Sequence, residues 1–105
     1  MSDSETNSAA PKRGTLPPAT FTFLVLSLRA QAEMQLGLVG FGEDEKAEPD
    51  LEMARHTIDM MGVLLDKTKG NLAIEEQRLL ENSLTELRFR FVQVSAEAAQ
   101  PPQKE

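Results

Sequence analysis

One histidine, His56, stands in the sequence, with Glu52 four residues before it and Asp59 three residues after it. On a helix these three side chains share one face, so an imidazole and two carboxylates could offer a divalent cation three ligands. Helical-bundle metal centres, however, draw a Glu-x-x-His pair from each of two helices and add further carboxylates. A single imidazole on a polar arc cannot build that set. Glu52, Arg55 and Asp59 instead stand at spacings that pair opposite charges along a solvated helix face, worth roughly 0.2–0.5 kcal/mol per pair.

The other reactive side chains lack partners in the same way. Ser27 and Ser83 sit inside helical patterns, and a hydrolytic triad would need His56 brought to one of them and oriented by a third group. No strained elbow points to that arrangement, and Ser83 reads as a small residue that lets helices approach. The carboxylate pairs Asp44-Glu45 and Glu75-Glu76 have no apolar pocket in the sequence that would raise a pKa for acid catalysis. Glu76, at the edge of an apolar stripe, needs a base or helix N-terminal amides as a partner; an ion pair is the expectation. Arg88 and Arg90 bracket Phe89, yet Glu86 precedes Arg90 at i,i+4, and two arginines among acids make no basic stripe. Gly37, Gly40 and Gly42 lie in a connector with neither a preceding strand nor a Lys-Ser/Thr ending, so it is no phosphate loop. No residue is therefore assigned as catalytic, cofactor-binding or metal-ligating, and no enzyme activity or cofactor is expected. The alternative is an accessory subunit or enzyme whose site, drawn from Glu76, His56 or the arginines, forms across an oligomer interface.

Composition narrows the class. The 105 residues carry a formal net charge of −6 and no cysteine. That charge opposes general binding to nucleic-acid phosphates, and disulfides and thiolate sites are excluded. Lys12 and Arg13 precede the apolar run Phe21–Leu28, and Ala30-Gln31-Ala32 resembles a leader-peptidase site. Asp3 and Glu5 spoil the basic region, and Arg29 interrupts the exit from the run. The run falls far short of the ~20 apolar residues needed to span a bilayer. A cytoplasmic protein without a membrane span is expected, with this run as a helix of the fold.

The elements that must position these side chains are all helical. The first helix is read from 21 to 36, entered through Pro17-Pro18 with Thr20 as N-cap and stopped by Gly37. The second runs from 51 to 69 with Asp50 as N-cap, and Gly70 supplies the left-handed residue beyond it. The third runs from 72 to 94. The Gly70-Asn71 link is short enough to make helices two and three an antiparallel hairpin. The fold class is thus an all-α, three-helix domain over residues 20–94, with Leu38, Val39 and Phe41 lidding its edge. Residues 1–19 and 95–105 are too polar to offset the entropy of ordering and are read as disordered tails.

Apolar periodicity specifies the core. Leu51, Ala54, Ile58, Met61 and Leu65 form the stripe of helix two, widened by Met53, Met60 and Leu64. Ala73, Leu80, Leu84, Leu87, Phe91 and Val94 form that of helix three, with alternating steps of four and three from Leu80 onward. The first helix departs from this pattern. Phe21, Val25, Leu28 and Ala32 lie on one face, whereas Phe23, Ala30 and Met34, with Leu26 nearby, lie nearly opposite. A helix apolar on two faces has to be covered twice. A homodimer through this helix is expected to supply the second cover, with an unidentified protein as a further candidate partner.

The run ARHTIDMMGVLLDKTKGNL (Ala54–Leu72), followed by Glu76, Leu80 and LRFRFV (Leu87–Val92), resembles a small bacterial family catalogued as domain of unknown function 1844. The first helix is similar too, in its F-x2-L-x-L-S-L pattern and its Leu36-Gly37. The resemblance implies a short helical domain with no assigned activity or catalytic residues. It also implies a Thr-Pro or Ser-Pro pair where this chain has Ala73-Ile74, and a tyrosine where it has Phe91.

Overall fold

Three helices carry the described part of the chain, residues 15–38 and 48–99 of a computed structural model. They are α1 (Phe21–Gln35), α2 (Leu51–Lys67) and α3 (Ile74–Ala99). The expected lid residues Val39 and Phe41 lie outside the described residues, as do Asp44-Glu45, residues 1–14 and residues 100–105. No strand occurs among the described residues.

The helix boundaries follow from local chemistry. Thr20 and Asp50 cap α1 and α2: their side chains accept from Phe23 N (3.0 Å) and Met53 N (3.1 Å), each satisfying an amide that the helix cannot. At the other end of α1, Gly37 takes φ 79°. Its amide donates to the Met34 carbonyl and that of Leu38 to the Glu33 carbonyl, both at 3.0 Å. This is the paired closure of a Schellman motif, which needs a left-handed residue just past the cap. The Asp50 amide then returns to the Gln35 carbonyl at 2.7 Å, so the start of α2 is tied to the end of α1.

The α2–α3 link is longer than a two-residue turn. α2 ends at Lys67, and over its last turn the Thr68 hydroxyl donates to the Leu64 carbonyl at 2.8 Å. The Asn71 amide then bonds the Thr68 carbonyl at 2.9 Å, with Gly70 at φ 86° as the third residue of that turn. α3 begins at Ile74 rather than at residue 72, which leaves Ala73 exposed and outside the core stripe. It also continues to Ala99 instead of stopping at Val94; Ala96, Ala98 and Ala99 are the strongest helix formers and extend it without tertiary cover.

Each pair of helices packs together. Leu65 and Asp66 lie beside Gln77 and Glu81, and Ile58 lies beside Phe91 and Val92, so α2 and α3 run antiparallel. The buried apolar side chains divide evenly: Val25, Ala32 and Leu36 from the first segment, Ala54, Ile58 and Met61 from α2, and Leu80, Leu84 and Leu87 from α3. Phe21, Leu28, Leu51, Leu65, Phe91 and Val94 pack around them. Val25, Ala32 and Leu36 make the first helix part of the core. Among the described residues, no helix is long and apolar enough to cross a membrane.

Candidate interaction surface

Two polar junctions set how α1 sits. Thr57, buried in α2, donates from its hydroxyl to Gln35 Oε1 at 2.6 Å and accepts from Gln31 Nε2 at 3.4 Å. Gln31 and Gln35, one turn apart, therefore straddle Thr57. On the other flank Arg29 reaches α3, where it meets Glu86 Oε1 at 2.7 Å and the buried Ser83 hydroxyl at 3.4 Å. Its Nε also pairs with Glu33 at 3.2 Å, and Glu86 continues to Arg90 at 3.8 Å. Buried hydroxyls need such partners, and each junction fixes one side of α1.

With those sides occupied, the rest of α1 faces outward. Phe23 is 43% exposed, Leu26 44% and Met34 44%, and Ala30, Ser27 and Gln31 are exposed with them. The only charged residues of α1, Arg29 and Glu33, are paired on the α3 side. The outward face of α1 thus carries no charge at all, on a chain with charged residues at 27% of positions. The two-faced reading of this helix holds residue by residue: Val25 and Ala32 are buried, while Phe23, Ala30 and Met34 are exposed.

One expectation for α2 fails in the same region. Met53 and Met60 do not widen the buried stripe; they are 44% and 47% exposed, and only Met61 of the α2 methionines is buried. α2 has two neighbours, and the arc bearing Met53 and Met60 lies beyond the edge of α1. Val63 is more exposed still.

The side chains with chemical potential are dispersed. His56 and Glu52 border an open hollow with Asp50 and Met53, whereas Asp59 borders a different cleft. Among the described residues, no group of three or more His, Asp or Glu side chains is arranged to hold a metal ion. The second cleft, roughly 180 Å³ between α2 and α3, is lined by Arg55, Ile58, Asp59, Arg88, Phe91 and Val92. It is smaller than the ~300 Å³ at which small-molecule sites begin, and Arg55 and Asp59 pair across 3.9 Å at its rim. Ser27 is exposed and Ser83 is buried against Arg29. Among the described residues Glu76 forms no ion pair with a base, contrary to the expectation. Its carboxylate accepts from the Ala73 amide at 2.8 Å, the return bond of a capping box.

Sequence reasoning passed over Thr57, Gln31 and Gln35. A signal was present, since Thr57 interrupts the Ala54–Ile58–Met61 stripe and the two glutamines stand one helical turn apart. Arg29 likewise reads as a break in an apolar run, although an arginine flanked by apolar faces needs an acid on a neighbouring helix.

No curated protein and no solved structure matches the chain. The family model described as domain of unknown function, DUF1844, matches residues 18–93, a span that takes in all of α1 and α2, both caps, the Gly70 turn and most of α3. The chain belongs to the DUF1844 family.

Proposed function

We propose that this protein is a non-enzymatic helical assembly module that self-associates through α1. The observation that supports the reading is the outward face of α1, where Phe23, Leu26, Ala30 and Met34 are exposed without a single charge among them. Contiguous exposed apolar surface on a chain otherwise rich in charge marks an interface, and twofold homodimers are the commonest way to cover one. Burying the exposed remainder of Phe23, Leu26 and Met34, a little under half of each, would contribute on the order of 0.5–1.5 kcal/mol apiece before the costs of association. The proposed location is the cytoplasm. A net charge of −6 supports a protein partner over a nucleic acid.

Light scattering over a concentration series tests the reading. The wild type should reach twice the monomer mass at high micromolar concentration, and Phe23→Asp should return it to monomer and lower its Tm. A wild type that stays monomeric would remove the homodimer and leave a different protein as the cover of α1.

A further inference from the structure

The area of α1 limits what it can do alone. Its 15 residues make a helix about 22 Å long and about 10 Å wide, a footprint on the order of 200–300 Å². A stable interface takes about 800 Å² from each partner, so a mate seated on α1 has to extend over a neighbouring helix. The α3 border is closed to an apolar mate by Arg29, Glu33, Glu86 and Arg90. The α2 border is open. Thr57 touches Gln31 and Gln35, so the α2 row Met53–Thr57–Met60–Leu64, spaced four, three and four, runs beside α1. Met53 and Met60 are exposed on it, and Val63 stands next to it. The uncharged surface therefore continues from α1 onto α2.

The spacing on α1 has its own symmetry. Phe23, Ser27, Ala30 and Met34 also follow steps of four, three and four, with two small residues between two large ones. In an antiparallel helix pair the a positions of one strand meet the d positions of the other. Ser27 then faces Ala30 of the second copy and Phe23 faces its Met34, about a midpoint between Ser27 and Ala30. Opposed helix dipoles favour that direction.

The same midpoint can be carried across to α2. The centre of Gln31 and Gln35 lies level with Thr57, and with the start of α2 at the end of α1, where the Asp50 amide meets the Gln35 carbonyl, α2 returns along α1 in the opposite sense. Moving from there back along α1 to the Ser27–Ala30 midpoint moves forward along α2 by the same distance, to between Met60 and Val63. These are the two large apolar side chains of α2 left most open to solvent.

We infer that the second copy of this chain binds antiparallel, α1 on α1 and α2 on α2. One twofold axis passes between Ser27 and Ala30 and between Met60 and Val63. This arrangement rests on the self-association proposed above and adds its geometry. It explains how copies with a net charge of −6 approach, since the α1 face and the Met53–Thr57–Met60–Leu64 row carry no charge and the charged side chains of α2 lie at the rim. Lys67 lies as far past the axis as His56 lies before it, so each Lys67 comes over the Glu52–His56 turn of the other copy, pairing base with acid at the rim.

The absence of native cysteine makes cross-linking a clean test. Phe23→Cys and Met34→Cys chains are prepared separately, oxidised mildly alone and mixed, and run on non-reducing gels. The antiparallel dimer cross-links the mixture about tenfold faster than either chain alone. Faster linkage of Phe23→Cys with itself overturns the arrangement. Ser27→Cys mixed with Ala30→Cys repeats the comparison with little change in volume, in case Phe23→Cys weakens association. Met60→Glu should raise the dimer Kd at least about tenfold, because it brings two carboxylates together beside the axis, whereas Phe89→Glu on α3 should not. An unchanged Kd for Met60→Glu overturns the α2 contact while leaving α1 self-association standing. A monomeric wild type overturns both.

Discussion

Arg29 of α1 donates to Glu86 Oε1 of α3 at 2.7 Å from one terminal nitrogen while the other terminal nitrogen reaches the Ser83 hydroxyl at 3.4 Å. The arginine side chain is 27% exposed and the glutamate 44%. One charge therefore fixes α1 against α3, and the same contact accounts for the uncharged opposite face of α1. The charge that α1 carries is taken up at the α3 border, where it orients the helix. What remains outward is uncharged.

The pair lies near solvent, so screening limits its value to about 0–1 kcal/mol. A double-mutant cycle with Arg29→Met and Glu86→Gln should return a coupling in that range, and the coupling should shrink as salt rises. Arg29→Met alone should cost more than the coupling, about 1–2 kcal/mol, because Ser83 is left buried without its partner. A single-mutant cost equal to the coupling would show that Ser83 finds another partner.

Thr57 makes the corresponding prediction on the α2 side. Thr57→Val keeps the side-chain shape but leaves Gln35 Oε1 without its donor, so urea unfolding should show a loss of about 1 kcal/mol. Adding Gln35→Leu removes the orphaned acceptor and should recover most of that loss. If the double variant is no better than the single one, the glutamine is being satisfied by water.

Much of this fold was legible because local chemistry and tertiary packing agree. Thr20, Asp50 and Gly37 act where their side chains or lack of one predicts, and the stripes Ala54–Ile58–Met61 and Leu80–Leu84–Leu87 are the core. Periodicity shows which residues are apolar on one side, but not how many neighbours a helix will have. That is why Met53 and Met60 read as core and are exposed. Thr57 and Arg29 were missed for a related reason: their partners are 22 and 57 residues away, and no local pattern links them.

Two glycines should respond to substitution with opposite signs. Gly70 adopts φ 86°, and an added Cβ there meets nothing within 4 Å. The cost of Gly70→Val is therefore backbone strain alone, expected to exceed ~1 kcal/mol for a β-branched residue. Gly62 lies within α2, and its only close neighbour would be the Arg88 guanidinium at 3.1 Å. Arg88 is exposed and free to shift, so Gly62→Ala should stabilise by about 0.5–1 kcal/mol through helix propensity. Thermal melts that move in the same direction for both would mean that Arg88 cannot give way, or that the turn relaxes.

The start of α3 carries half a capping box. With Ile74 as the first helical residue, Ala73 occupies the N-cap and Glu76 the third position, from which its carboxylate reaches back to the Ala73 amide at 2.8 Å. The reciprocal bond, from the Glu76 amide to an N-cap hydroxyl oxygen, is missing because alanine has no oxygen to accept it. Ala73→Thr supplies one and should stabilise by about 0.5–1 kcal/mol. Glu76→Ala should remove the existing half and cost about 0.5–1.5 kcal/mol. Combining them separates two meanings of any gain. A hydroxyl acting as a cap stabilises even in the Glu76→Ala background, since its acceptor bond goes to the backbone. If α3 instead began at Asn71, position 73 would lie inside the helix, and threonine there would cost a few tenths of a kcal/mol through its weaker propensity and so lower the denaturant midpoint. The sign of the Ala73→Thr shift thus reports where α3 begins.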